Sequence, residues 1–169
     1  FENYFDEQRF SENNVELGKA LVKKDFKRFN DINKIDKKLL KFYLNSYQSY
    51  LFNLALAEHL KKYDNFKVNY SLGEFVFLKK KIKNFKLPLI NFDSKLDKVY
   101  NKILKKECIT KGDFLIRQFP DLIDETVFRD CILDVKIKSS YGKDELNKGK
   151  FKQIFMFSLP KGSYATIVI

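Results

Sequence analysis

The sequence predicts an α+β protein, because helical and strand-like patterns occur in segregated groups along the chain. In residues 37–62, apolar side chains recur with a period near 3.6, as they do on one face of a helix. Residues 67–70 and 74–78 are two short aromatic and β-branched segments around a Gly-containing turn, which is typical of paired strands. After Asp124 the pattern changes to β. These observations together predict a mixed architecture of segregated helices and strands.

The pattern in the first third of the chain predicts an extended segment followed by two helices. Residues 1–10 are expected to form an extended segment that leads to a turn. Asn13 and Glu16 have the spacing of a capping box, which predicts a helix to about Arg28, before a polar break at residues 30–33. The predicted inward positions of the helix over residues 37–62 are Leu40, Tyr43, Leu44, Tyr47, Leu51, Leu54 and Leu60.

The pattern in the remaining two thirds of the chain predicts two shorter helices and then strands. Ser94 with Asp97 predicts a capping box and a helix through about Lys106, and Thr110 with Asp113 caps a shorter helix that ends near Phe119. Residues 127–137 predict a strand that is broken at residues 139–142. A charged hairpin loop at 143–150, a strand from 151, a turn at Pro160 and Gly162 and a buried strand at 163–169 complete the prediction.

The net charge of the chain favours a polyanionic partner. The 169 residues contain 33 Lys and Arg against 22 Asp and Glu, which gives a net charge of +11. Such an excess attracts nucleic acid regardless of its sequence. An AT-rich genome that places lysine at surface positions explains the lysine count equally well.

Cysteine, histidine and hydropathy patterns indicate no disulfide framework, metal site or membrane span. Cys108 and Cys131 each lie in an apolar local pattern and are expected to be small core residues, in a reducing cytosol. His59 has no Cys or His at ligand spacing, so it is expected to be a surface or cap residue. No 18-residue apolar run is present. The chain begins with Phe1 and ends in an apolar run, and it is expected to be a piece of a longer protein.

A motif near the N-terminus carries side chains suited to holding an unpaired base, and a second motif at the other end of the chain adds weight to it. Residues 3–10 read NYFDEQRF, and residues 157–166 read FSLPKGSYAT. Unpaired RNA bases are held by aromatic or Arg planes together with donors and acceptors at the base edge. Plain core packing of Phe5 and Phe10 is the alternative that the local pattern leaves open.

These two motifs, together with YLNSYQSYLFN at residues 43–53, resemble the TruD family of tRNA pseudouridine synthases, and they occur in the family's order. The first motif departs from the family at Asp6 and Ser11, where the family usually has Gly. The resemblance implies an α+β fold in which a pseudouridine synthase catalytic sheet is interrupted by an inserted α/β TRUD domain. Residues 1–30 and 134–169 would then belong to the catalytic domain, and residues 31–133 to the insert.

The resemblance also implies an activity. The family isomerises a uridine in tRNA, usually uridine 13, to pseudouridine without a cofactor or a metal. The family's catalytic Asp lies upstream of the NYF motif, and no Asp of this chain matches it. The implied partners are therefore tRNA and a missing N-terminal part of the same enzyme, in the cytoplasm and away from membranes.

The resemblance assigns roles to particular residues. Phe5 would pack on the target base, Asn3 would hold the pocket, and Gln8 and Arg9 would fix the loop or contact a phosphate. Four lysines of the implied insert are expected to contact the RNA backbone, and the alternative is a solvated basic face. They are Lys79, Lys80, Lys81 and Lys83.

Three functions remain open from the sequence. The first is a part of a TruD-like synthase that is inactive alone. The second is a non-catalytic RNA-binding module on the same scaffold. The third is an interaction domain that does not bind RNA, whose charge reflects genome composition.

Overall fold

The computed structural model describes residues 1–11 and 13–169 and confirms the α+β class. Within these residues, three α-helices accompany three separate two-stranded antiparallel sheets. The helices are α1 (Asn14–Val22), α2 (Lys37–Leu60) and α3 (Lys98–Glu107). The strands are β1 (Asn65–Tyr70), β2 (Gly73–Leu78), β3 (Lys86–Leu89), β4 (Val127–Asp130), β5 (Lys138–Lys143) and β6 (Phe151–Met156).

Helix α2 is the centre of the core, as its periodicity predicts. It packs against α1, α3, β2 and β3, and most residues of its middle turns are buried. Of the predicted inward positions, Tyr43 and Leu54 are only partly buried and the others are buried. Asp36 begins the helix, because its side chain accepts a hydrogen bond from the backbone N–H of Lys38.

Helix α1 is shorter than predicted. Asn13 has a left-handed φ of 62° and its side chain makes no capping hydrogen bond, so the predicted box with Glu16 does not form. The helix ends at Val22 because Lys24 turns into the left-handed region, and Asp25 N–H then bonds to the Ala20 carbonyl. A separate 3₁₀ turn, Phe26–Arg28, replaces the rest of the predicted helix.

The other two predicted capping boxes have different outcomes. Asp97 alone caps α3, accepting from Tyr100 N–H at 2.9 Å, while the Ser94 hydroxyl accepts from Asn91 N–H. Thr110 and Asp113 do form a box, but it opens a single 3₁₀ turn, Lys111–Phe114, rather than a helix that reaches Phe119. Short 3₁₀ turns also occur at Glu7–Phe10, Ile32–Lys34, Pro120–Leu122 and Ala165–Ile167.

The C-terminal segment differs most from the prediction. The predicted break at 139–142 lies inside β5, which pairs with β6 from Lys138 opposite Met156 to Lys143 opposite Phe151. The charged loop between them is confirmed. Residues 163–169 are not a buried strand, because Val168 and Ile169 donate their N–H groups to the Ala165 carbonyl and close a local turn. Ile169 is exposed.

The two cysteines lie in different surroundings. Cys131 is fully buried, as predicted, whereas Cys108 is exposed at the end of α3 in a left-handed conformation, so the prediction of a core position for Cys108 is wrong. His59 lies in the last turn of α2 with its Nε2 2.8 Å from an Asp97 carboxylate oxygen.

None of the helices in residues 1–11 and 13–169 is both long and apolar enough to cross a membrane. Nor do these residues bring three His, Cys, Asp or Glu side chains together as a metal site.

Candidate functional site

The NYF motif runs antiparallel beside the end of β4. Glu2 forms a β-bridge with Ile132, and Asn3 N–H donates to the Cys131 carbonyl at 2.8 Å. The Asn3 side-chain amide donates to the Asp130 carbonyl at 2.8 Å. Asn3 is therefore fixed by backbone groups of the segment that precedes the C-terminal hairpin.

Tyr4 anchors the motif in the core. It is fully buried, and its hydroxyl donates to the Val76 carbonyl at 3.0 Å and accepts from Val76 N–H at 3.1 Å. Burial raises the pKa of Tyr4 far above its usual value, so the hydroxyl stays protonated. Tyr4 has a structural role here rather than a chemical one.

Helix α2 holds the backbone of Phe5 through a single side chain. Asn53 Oδ1 accepts from Phe5 N–H at 2.9 Å, and Asn53 Nδ2 donates to the Phe5 carbonyl at 2.8 Å. An amide side chain can satisfy both backbone groups of one extended residue in this way. The position of the Phe5 ring is consequently set by the central helix.

The Phe5 ring is nearly enclosed by aromatic and cationic neighbours. Only 7% of Phe5 is exposed. The Arg129 guanidinium carbon lies 4.1 Å from the ring centroid, and the rings of Phe52 and Tyr164 approach at 5.7 and 6.0 Å in edge-on geometry. A base that stacks on this ring has to use the face opposite Arg129.

Arg129 joins the two terminal motifs, and the sequence reasoning did not identify it. Its Nε donates to the Asn3 carbonyl at 3.1 Å, its Nη2 to Asn3 Oδ1 at 2.6 Å, and its Nη1 to the Gly162 carbonyl at 2.9 Å. Gly162 has a left-handed φ of 84°, a conformation that favours glycine. The turn of the second motif is thereby tied to the first motif through one guanidinium.

The charge of Arg129 is not balanced by a carboxylate. No Asp or Glu oxygen of residues 1–11 and 13–169 lies within ion-pair distance of it. Burial lowers the pKa of Arg129 to about 10, which still leaves it protonated at neutral pH. The sequence did contain one signal: Arg is used at only four of the 33 basic positions, and Arg suits forked hydrogen bonding where Lys does not.

Arg9 and Gln8 have different surroundings. The Arg9 guanidinium carbon lies 4.9 Å from the Phe42 ring centroid, and its Nε is buried without a hydrogen-bond partner among the described residues. Gln8 is exposed. Among the four predicted pocket residues, Phe5 and Arg9 line the cavity described next, whereas Asn3 and Gln8 do not. Asn3 is linked to the Phe5 ring through Arg129.

A cavity of about 230 Å³ lies against Phe5 and Arg9. Helix α2 contributes Asn45, Gln48 and Ser49 to its wall, and the segments around β3 and β4 contribute further polar and apolar groups. Amide side chains beside an aromatic ring are the chemistry of a site for a planar polar ring.

The four predicted backbone-contacting lysines lie elsewhere. Lys79, Lys80 and Lys81 line a second cavity with Phe1 and Glu2. Lys79 and Lys81 are already paired, with Asp64 at 3.2 Å and with Asp134 at 2.9 Å.

Lys80 and Lys83 differ from the two paired lysines. Both are exposed, and neither has a carboxylate within ion-pair distance in the part of the chain that is described. They are therefore the stronger candidates for contacts with phosphate.

Comparison with known proteins gives consistent results. A family model described as tRNA pseudouridine synthase D (TruD) matches residues 88–169. A protein of Methanocaldococcus jannaschii described as tRNA pseudouridine synthase D 2 is 32% identical, over 86% of this chain and 39% of the relative. A protein of Methanococcus maripaludis described as tRNA pseudouridine synthase D 1 is 35% identical, over 80% of this chain and 39% of the relative.

A solved structure has the same fold. The crystal structure of a Methanosarcina mazei protein described as tRNA pseudouridine synthase D (TruD) aligns with 99% of this chain and 59% of its own, with a TM-score of 0.72 and 20% identity. The chain spans about 39% of the length of the first two curated relatives it matches.

Proposed function

Because this chain belongs to the TruD family of tRNA pseudouridine synthases, we propose that it is part of an enzyme that isomerises a uridine in tRNA to pseudouridine. The reaction breaks the bond between C1′ of ribose and N1 of uracil, rotates the base and joins C1′ to C5. C5 loses its proton and N1 takes one up, so the product is an isomer of uridine. Uridine 13 is the proposed target, as the family resemblance implies. An enzyme of this class would act in the cytoplasm.

The observation that carries this proposal is the Phe5 assembly. A base that is taken out of a helical stack loses a few kcal/mol of stacking, and an aromatic surface returns a similar amount. Asn53 and Arg129 hold the Phe5 ring in place beside a cavity. In the proposal, Phe5 packs on the extruded uracil, while Asn3 and Arg9 support the pocket and Gln8 fixes the adjoining loop.

The reactive carboxylate is proposed to come from polypeptide outside these residues. The chain spans about 39% of the relatives, which leaves room for such a segment in the complete enzyme. Residues 1–30 and 134–169 would form part of the catalytic domain, and residues 31–133 the insert. The charge of Arg129, which no carboxylate of the described residues compensates, suits a site that receives a carboxylate or a phosphate.

The β5–β6 hairpin is the proposed contact with that polypeptide. Tyr141 and Phe151 are exposed on one face of it, and their rings stack at 5.4 Å. A two-stranded hairpin alone is marginally stable, and exposed apolar groups mark interaction surfaces. We assign this face to strands of the completing part of the enzyme.

Reconstitution tests the function. The chain is mixed with a polypeptide that carries the remaining part of a TruD relative, and tritium release is measured from tRNA labelled at C5 of uracil. We expect release from the mixture and none from either part alone. Phe5→Ala in the mixture should lower the rate by about tenfold to a hundredfold, because stacking is worth about 1–3 kcal/mol per base.

Two outcomes would contradict the proposal. Release by this chain alone would show that the reactive carboxylate lies within it. Binding of tRNA without release from the mixture would favour a non-catalytic RNA-binding module.

A further inference from the structure

The cavity beside Phe5 contains hydrogen-bonding groups that the fold leaves unused. Gln48 is 7% exposed, and its Nε2 donates to the Ile90 carbonyl at 2.7 Å. Its Oε1 accepts no hydrogen bond from the residues that the structure describes. The amide is therefore held in one orientation with a free acceptor at the cavity wall.

Two unused donors accompany this acceptor. Arg9 Nε is buried without a partner in the described part of the chain. Asn45 lies one turn before Gln48 on α2, lines the same cavity, and its side chain makes no hydrogen bond to a described residue. A buried polar group without a partner costs free energy, so a ligand that satisfies Arg9 Nε is favoured. Asn45, which is only partly buried, adds a donor at the cavity wall.

Uracil has the complementary edge. Its N3–H is a donor, and the two carbonyl oxygens that flank it are acceptors. Donors from Arg9 and Asn45 and the Gln48 acceptor match these requirements, and Phe5 supplies an apolar wall.

We propose that this cavity binds the uracil base of the substrate and recognises its edge through Gln48, Asn45 and Arg9. The inference rests on the proposed function, because it specifies how the substrate base is recognised. A site that is built to hydrogen-bond a substrate group rejects analogues that lack the group.

The same cavity also contains groups that would favour other bases. Asp124 and Glu125 line it, and carboxylates accept hydrogen bonds from the amino groups of cytosine or adenine. Asp124 is engaged by Lys41 Nζ at 2.8 Å, which weakens its pull on such a base. Binding measurements with different bases show whether the amides or the carboxylates determine which base the cavity prefers.

The test uses the chain and short RNA oligomers of equal length, each with a single base flanked by abasic nucleotides. The base is uracil, cytosine or 3-methyluracil, and a fully abasic oligomer measures binding through the backbone. Fluorescence anisotropy gives the dissociation constants at one low salt concentration. We expect the uracil oligomer to bind about tenfold tighter than the other three.

Variants separate recognition from folding. Asn45→Ala should abolish most of the preference for uracil, because it removes a proposed donor to the base. The unfolding temperature should stay unchanged, because the Asn45 side chain has no hydrogen-bond partner in the described structure. Gln48→Leu should also abolish the preference for uracil. Because this variant also loses the hydrogen bond to the Ile90 carbonyl, its unfolding temperature is measured first to confirm that it is folded. Asn69→Ala, an exposed asparagine on β1, is the matched control and should keep the preference.

The outcomes distinguish this inference from the function on which it rests. Equal binding of uracil, cytosine and 3-methyluracil oligomers would overturn the inference and leave RNA binding intact. Tighter binding of the cytosine oligomer would overturn it in favour of carboxylate recognition. If neither the oligomers nor tRNA bind, the proposed function fails and the inference fails with it.

Discussion

At the residue scale, Arg129 connects the two ends of the chain. Arg129→Lys keeps the charge but loses the fork that reaches Asn3 and Gly162, and charge-assisted bonds are worth about 1.5–3 kcal/mol each. We expect the free energy of unfolding to fall by about 2 kcal/mol, measured by urea denaturation. Arg117→Lys, at an exposed position, is the control. An unchanged urea midpoint for Arg129→Lys would remove Arg129 from this role.

The two thiols should differ sharply in reactivity. Burial raises the pKa of the Cys131 thiol to about 12, whereas Cys108 is exposed. In the native chain we expect one thiol to react with a disulfide reagent at pH 8 and the second only after denaturation. In Cys108→Ser, fast reaction of the native protein would contradict the buried position of Cys131.

The raised pKa of the Cys131 thiol also makes the free energy of unfolding depend on pH. An unfolded thiol ionises near pH 8.5, while the folded Cys131 thiol stays protonated to about pH 12. The contribution of this thiol to stability is therefore complete below about pH 8.5 and is lost as the pH rises towards 12. Replacing Cys131 by Ala should remove this component of the alkaline loss of stability.

At the element scale, α1 and α2 approach too closely for any side chain at Gly18. A Cβ there would lie 2.1 Å from the Tyr43 carbonyl oxygen. Gly18→Ala forces the helices apart, and we expect it to cost about 3 kcal/mol in chemical denaturation. Gly142→Ala is the matched control, since a Cβ there meets no atom within 4 Å. Equal stability of the two variants would mean that the helices do not pack as described.

Helix α2 also shows why some elements could be predicted and others not. Its apolar period is a local property, so the sequence predicted its bounds closely. The strand predicted at residues 163–169 failed because a strand needs a neighbour, and local bonds to Ala165 satisfy this backbone instead. The capping pattern at Asn13 failed because its left-handed backbone is not encoded in the spacing.

At the scale of the whole molecule, the net charge of +11 predicts salt-dependent RNA binding, to which the lysine segment contributes. Reversing Lys79, Lys80, Lys81 and Lys83 to Glu should weaken tRNA binding and flatten its salt dependence. Lys80→Glu with Lys83→Glu should give most of the effect, because Lys79 and Lys81 are already paired. For the Lys80→Glu, Lys83→Glu double variant, the magnitude of the slope of log K against log salt should fall by roughly 1 to 2.

A control variant for the lysine segment carries the same change of charge elsewhere on the surface. Lys23→Glu with Lys27→Glu reverses two exposed lysines near the end of α1. We expect a smaller fall in the slope from this pair. Equal slopes for the two double variants would mean that the lysine segment contributes only to the overall charge.

The sequence by itself determined the α+β class, the central helix, the paired strands of β1 and β2, and the motifs that mark the family, because these depend on short-range patterns. Only the tertiary structure decided that Arg129 covers one face of Phe5, that Asn53 holds the Phe5 backbone, and that Gln48 lines the cavity beside the ring. The physical reason is separation: Asn3 and Arg129 are 126 residues apart, and no local pattern records a hydrogen bond across that distance.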